Sequence, residues 1–147
     1  MTNDVLILED FMPYRLNRLA DAISREFARI YRDRYGLTRP EWRTLAALGQ
    51  HGTMTATEIG AHSAMHKTKV SRAVAALEKR RWLVRKADAN DRRVERLSLT
   101  KAGQRVYGEL IPVAAAFEAG MLDKLGARQR EAVLKGLAAL EKAVLRA

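Results

Sequence analysis

Between residues 66 and 81 the sequence places Thr68, Lys69, Ser71, Arg72 and Lys79 at helical spacing, with Lys67 at the start and the small residues Ala75 and Ala76 among them. Side chains of this kind reach base edges and phosphates when a helix lies in a major groove, and small neighbours let the helix come close. A second cluster, Asp91-Arg92-Arg93, falls in a run of turn formers. Guanidinium groups at the tip of a turn suit a narrow minor groove, whose negative potential attracts them, and Asp91 is placed to hold an arginine in position. Each cluster alone also fits a solvated helix face or a charged turn; side by side they point to a polyanion. Other chemistry lacks its residues: there is no glycine-rich phosphate loop, no His-Glu helix motif, no nucleophile elbow and no clustered pair of carboxylates. No catalytic residue and no enzyme activity are expected, and no cofactor.

The 147 residues are enough for one core, and 48% apolar with 30% charged residues is an ordinary globular mixture. Lys and Arg number 27 against 17 Asp and Glu, a formal charge of +10, which puts nucleic acid first among partners and an anionic membrane second. The excess is local. Residues 1–65 are neutral overall, whereas residues 66–96 hold eleven basic and four acidic side chains. The absence of Cys excludes disulfides, thiolate metal sites and a thiol switch. Residues 1–10 carry Asp4, Glu9 and Asp10 around a very short apolar run, Val5 to Leu8, unlike a signal peptide or membrane anchor, so a cytoplasmic protein without a membrane role is expected.

The elements that must position the two clusters follow from local signals. Met12, Leu16, Leu19, Ile23, Phe27 and Ile30 form one stripe of a long helix ending near Gly36. Thr38 caps the next helix, Pro40 sits in its first turn, and Gly49 to Thr53 closes it. Thr55-Ala56-Thr57-Glu58 is a capping box opening a short helix to about His62. A second helix runs from about His66 to Arg81 with Val70, Ala73, Val74 and Leu77 inward, and two helices joined this tightly suggest a helix-turn-helix. Leu83 to Ala87 and the alternating Val94 to Thr100 form a β-hairpin around the turn formers Asp88 to Arg92. Lys101 to Leu122 returns to helix with a kink at Pro112, and Gly126 precedes a last helix, 127–146, with Val133, Leu137, Leu140 and Val144 on one stripe. The fold class is mainly α with a small β-hairpin.

The order helix-turn-helix, Asp91-Arg92-Arg93, then Leu97-Ser98-Leu99-Thr100 resembles the winged-helix signature of the MarR family of transcription regulators. Val70-Ser71-Arg72 and Leu77-Glu78-Lys79-Arg80 are similar to that family's recognition helix, and Leu83-Val84-Arg85 to its first wing strand. The resemblance covers essentially the whole chain as a single domain. It implies a winged helix-turn-helix lobe over 37–101 and dimerisation helices over 1–36 and 102–147. It further implies a homodimer on double-stranded DNA, each protomer using a major and an adjacent minor groove of a pseudo-palindromic operator with half-sites about one helical turn apart. The implied DNA-binding set is Lys67, Thr68, Lys69, Ser71, Arg72, Lys79, Arg85, Asp91, Arg92 and Arg93. Two residues depart from the family pattern. Trp82 stands where the family usually has Gly, so the turn into the wing must differ or be strained, and His66 replaces an Asp cap.

Phe11-Met12-Pro13-Tyr14-Arg15-Leu16 and Pro40-Glu41-Trp42-Arg43 are similar to MarR-type regulators of aromatic-acid degradation. This implies a dimeric repressor released by a small aromatic carboxylate or its coenzyme A thioester, bound by Tyr14, Arg15, Arg18, Trp42, Arg43 and Tyr107; as core anchors and surface charges the same residues need no ligand. No metal is expected, because His62 and His66, four apart, are separated by a predicted turn, and capping or surface roles suit them and His51. The competing reading of the charge is a sequence-neutral architectural DNA-binding protein, which would show a steep salt slope without sequence preference.

Overall fold

The computed structural model describes residues 5–145. Asp4 in the acidic start, residues 1–4 of the expected first dimerisation segment, and residues 146–147 of the expected second one, the former also in the expected last helix, lie outside the described residues. After a single 3₁₀ turn, Leu8–Asp10, the order is α1 Met12–Tyr35, α2 Arg39–His51, β1 Thr53–Met54, α3 Ala56–Ser63, α4 Lys67–Lys79, β2 Leu83–Ala87, β3 Glu95–Leu99, α5 Lys101–Leu122 and α6 Ala127–Val144. The protein is mainly helical with a small antiparallel sheet.

The caps form where the sequence places them. Gly36 closes α1 in the left-handed region at φ 65°, where a side chain would be strained. Thr38 accepts from the Glu41 amide, and Thr55 and Glu58 satisfy one another's backbone amides at 3.2 and 3.1 Å. His66 precedes α4 without a side-chain cap bond, as its imidazole predicts. Helix α2 passes through Gly49 and ends at Gly52, inside the Gly49 to Thr53 stretch expected to close it, and the Tyr107 ring lies so close to Gly49 that a Cβ there would collide with it. Gly49 therefore serves packing and not termination.

The hairpin gains a third strand. The sheet order is β1-β3-β2, all antiparallel, with Thr53 opposite Ser98 and Leu83 opposite Leu99. Two residues show no alternation, so β1 left no periodic signal; β3 supplies its partner.

The turn from α4 into the wing carries the strain expected at Trp82, one residue earlier. Arg81 adopts φ 64°, while the Trp82 amide donates to Leu77 and the Arg81 amide to Glu78. This is a Schellman closure with a side chain where Gly is preferred. Left-handed backbone costs a non-glycine residue about 1–2 kcal/mol, part of which Gly loses again through its freer unfolded chain. Arg81→Gly should therefore raise stability by about 0.5–1 kcal/mol in urea unfolding, and an unchanged or lower midpoint would mean the arginine contributes contacts that offset the strain.

The chain forms two compact units, Met1–Leu110 and Ile111–Ala147. The division falls inside α5, next to Pro112, through which the helix continues. In the first unit Tyr31, Leu37, Leu45, Leu48, Ile59, Val70, Val74, Leu77, Leu83, Leu97 and Leu110 build the core, with Phe27, Trp42 and Trp82 packed against it. The early part of the α1 stripe is not in it: Met12, Leu16 and Leu19 are exposed, and burial begins at Ala28 and Tyr31. In the second unit Arg130 pairs with Asp123 across the turn before α6, and Val133, Leu137 and Val144 are exposed.

Candidate nucleic-acid interface

Helix α4 buries Val70, Ala73, Val74 and Leu77, and this stripe turns the opposite face outward. Lys67, Thr68, Lys69, Ser71, Arg72 and Lys79 are all exposed on it, as is Ala75. Within α4 the side chains of Lys67, Lys69 and Arg72 have no carboxylate partner among the described residues, so their charges are available to an external anion.

The wing is braced by two carboxylates. Asp88 accepts from the Asn90 and Asp91 amides and pairs with Arg96 at 2.7 Å. Asp91 accepts from the Arg93 amide and from two guanidinium nitrogens at 3.1 and 3.3 Å, the positioning expected of it. The Arg93 side chain is otherwise 91% exposed, and the neighbouring Arg92 is exposed. Arg96 holds the Asp88 carboxyl below the usual carboxylate range and Arg93 does the same for Asp91. A depressed pKa contributes order above the unfolded value, about 3.9, that is lost as pH falls through the folded one. The amide signals of Asn90, Asp91 and Arg93 should thus hold their positions down to about pH 4 and move only below it; movement at neutral pH would remove these braces.

Arg85 is less free than expected. From β2 it pairs with Glu78 of α4 at 3.1 Å and with Glu95 of β3 at 3.8 Å, tying wing to helix. Between α3, α4 and the wing lies a cleft of about 900 Å³ lined by Thr57, Lys67, Ser71, Arg85 and Arg93 among others, which joins the two cationic clusters.

Sequence reasoning missed Arg80. Its guanidinium donates to the carbonyls of Tyr35 and Gly36, the latter at 2.9 Å, and stacks over Trp82 with 4.8 Å to the ring centroid. A cation thus satisfies the orphan carbonyls at the end of α1 and ties that end to the end of α4. The Tyr35 hydroxyl donates to Glu109, whose carboxylate raises the tyrosine pKa. Nothing local in the sequence marks Arg80 over its neighbour Arg81, because its partners lie 44 and 45 positions away.

The six residues implied for a ligand are not brought together as one set. Arg18 stands over the Tyr14 ring at 5.8 Å, and Arg15 is exposed beside them on α1. Trp42 stacks on Tyr31 at 5.7 Å and meets Phe27 edge-on at 5.0 Å, and with Arg43 it borders a cavity of about 230 Å³. Tyr107 packs on Gly49. Trp42 is thus an aromatic anchor of the core with one open edge.

Comparison with known proteins places this geometry. A model of the MarR family matches residues 35–94, from the end of α1 to the residue before β3. A MarR family transcriptional regulator from Silicibacter pomeroyi DSS-3 has a solved structure that is 29% identical, with TM-score 0.76, covering 92% of this chain and 98% of that one. BpsR of Bordetella bronchiseptica is 21% identical with TM-score 0.79, covering 93% and 97%, and MepR of S. aureus, solved with DNA, is 20% identical with TM-score 0.75, covering 88% and 96%; these two share the fold. No curated protein matches the sequence. The helix-turn-helix and the wing thus lie within the segment that matches the MarR family, and the chain is similar in sequence and fold to MarR family transcriptional regulators.

Proposed function

We propose that this protein is a homodimeric repressor that holds a pseudo-palindromic operator and is released by a small aromatic carboxylate or its coenzyme A thioester. The observation that carries the DNA-binding half is the set of unpaired cations on the outward face of α4 beside a wing tip whose Arg93 is held by Asp91. Lys67, Lys69, Arg72 and Lys79 with Thr68 and Ser71 form the major-groove set, Arg92 and Arg93 the minor-groove set, and Arg85 and Asp91 position them. Exposed Met12, Leu16 and Leu19 on α1, and Val133, Leu137 and Val144 on α6, support a second copy as their cover, since an exposed apolar stripe at helical spacing suits another helix. BpsR, whose DNA binding is regulated by 6-hydroxynicotinic acid, supports an aromatic acid as effector. Tyr14, Arg15, Arg18, Trp42, Arg43 and Tyr107 would supply ring walls and guanidinium partners in the dimer. The ligand acts only through the difference in its affinity for the operator-bound and released spacings.

The test is fluorescence anisotropy on DNA from upstream of the protein's own gene and on scrambled DNA, at two salt concentrations. A regulator holds the upstream fragment about a thousandfold or more tighter than random DNA, and an architectural protein shows equal, steeply salt-dependent binding to both. In the same assay Arg92→Ala and Arg93→Ala should each weaken binding to all fragments and lower the salt slope by about 1. An unchanged slope in both variants would take the wing off the contact surface.

A further inference from the structure

His51 ends α2 and His62 lies near the end of α3. Their Nε2 atoms are 3.2 Å apart and their ring centroids 4.7 Å apart, with the ring planes at 77°. His66, the neighbour that sequence spacing suggested, stands apart from them as the residue before α4. Both paired rings are exposed and border an open cavity of about 640 Å³ with Thr53, Met54 and Glu58. Neither histidine lines the cleft that joins α4 and the wing.

The spacing is that of two ligands of one ion. With metal–nitrogen bonds of about 2.0–2.1 Å, nitrogens 3.2 Å apart subtend about 100° at a shared ion, near the tetrahedral angle. Rings bound in this way have centroids about 5 Å apart, whereas two rings joined end to end by a linear N–H···N bond stand about 5.5 Å apart. The observed 4.7 Å falls on the convergent side. Glu58, one turn before His62, spends one carboxylate oxygen on the Thr55 amide. No cluster of three or more metal-binding side chains occurs among the described residues, so water would have to complete the coordination of an ion held by this pair.

We propose that His51 and His62 form a two-histidine chelate for a divalent transition metal of the copper, nickel or zinc class, joining the end of α2 to the first helix of the helix-turn-helix. Neutral imidazole suits these borderline ions and not calcium or magnesium, which take oxygen ligands. An ion that binds the folded chain and not the unfolded one raises its thermal midpoint by mass action.

Tag-free, chelator-treated full-length protein would be titrated with Cu²⁺, Ni²⁺ and Zn²⁺ separately at about pH 7.5. Calorimetry would give stoichiometry and thermal unfolding the shift. One ion per chain and a midpoint raised by about 5 °C at saturation are expected. Both effects disappear in His51→Ala and His62→Ala and persist in His66→Ala. Copper paramagnetic resonance on the wild-type protein should show coupling to two imidazole nitrogens, a readout that does not depend on how the variants fold. No uptake by the wild type, uptake surviving both single substitutions, or a copper signal without imidazole nitrogen would overturn the proposal.

Discussion

Gly103→Ala should destabilise the protein by about 2 kcal/mol or more, although Ala is the better helix former by about 1 kcal/mol. Gly103 is buried in the first turn of α5, and a Cβ on it would run into the backbone carbonyl of Trp82. That carbonyl cannot step aside cheaply. It accepts from the Thr100 amide at 3.0 Å, and the Thr100 hydroxyl donates to the Arg81 carbonyl at 2.7 Å while accepting from the Gly103 amide at 3.1 Å. These bonds bind the end of α4, the root of the wing and the start of α5 into one joint, so the added methyl must break part of it. Gly108, further along α5, is the control: a Cβ there meets nothing within 4 Å, so Gly108→Ala should gain about 0.5–1 kcal/mol from propensity alone. Urea unfolding of both variants reads the sign directly. Two gains would show that the close approach at Trp82 does not exist in solution, and two losses would mean that α5 tolerates no side chain at either position.

Arg72→Ala should weaken operator binding by about tenfold to a hundredfold while leaving binding to random DNA within a few-fold. Arg72 is exposed in the middle of the outward face of α4, and Ala75, one turn on, keeps the helix close to whatever it touches. An arginine that pairs with two acceptors on one base contributes about 1–3 kcal/mol of discrimination, which a purely electrostatic contact does not. Removing one phosphate contact instead weakens every sequence alike and lowers the salt slope. Comparing the two ratios in one anisotropy experiment therefore separates the roles. Equal losses on operator and random DNA would move Arg72 to the phosphate set and leave readout to Thr68, Lys69 and Ser71. Its exposed side chain makes no hydrogen bond or ion pair among the described residues, so unfolding midpoints should match the wild type, and a lowered midpoint would assign the residue a structural role.

Most of the fold was legible because its signals are local. The cap at Thr38, the box at Thr55 and Glu58, the helix end at Gly36 and the buried stripe of α4 each act within a few residues, so composition and spacing reveal them. The brace of Asp91 on Arg93 lies within two residues and was legible too. The strand Thr53–Met54 was not, because its ladder partner lies some forty residues later in β3. The close of α2 at Gly52 was legible in the stretch Gly49 to Thr53, whereas the packing role of Gly49 was not, because the Tyr107 ring that meets it lies far along the chain. Trp82 was expected to bear the strain of the turn, but hydrogen bonds to Leu77 and Glu78 place the left-handed residue at Arg81.

The sequence alone pointed to a polyanionic partner and marked the elements proposed to meet it: a basic segment over residues 66–96, a helix with its apolar side inward, and a hairpin with arginines at its tip. Periodicity, capping and turn chemistry act over one or two turns of chain, where no long loop has to close. Tertiary structure decided which cations are free and which are spent. Arg80 is tied to the end of α1, Arg85 to Glu78 and Glu95, and Arg96 to Asp88, while Arg72 and Arg92 keep their charges for solvent or a partner. It also brought His51 to His62 and left His66 alone. These outcomes depend on where the backbone crosses itself after tens of residues, and that crossing is set by packing of the whole core rather than by spacing within any one segment.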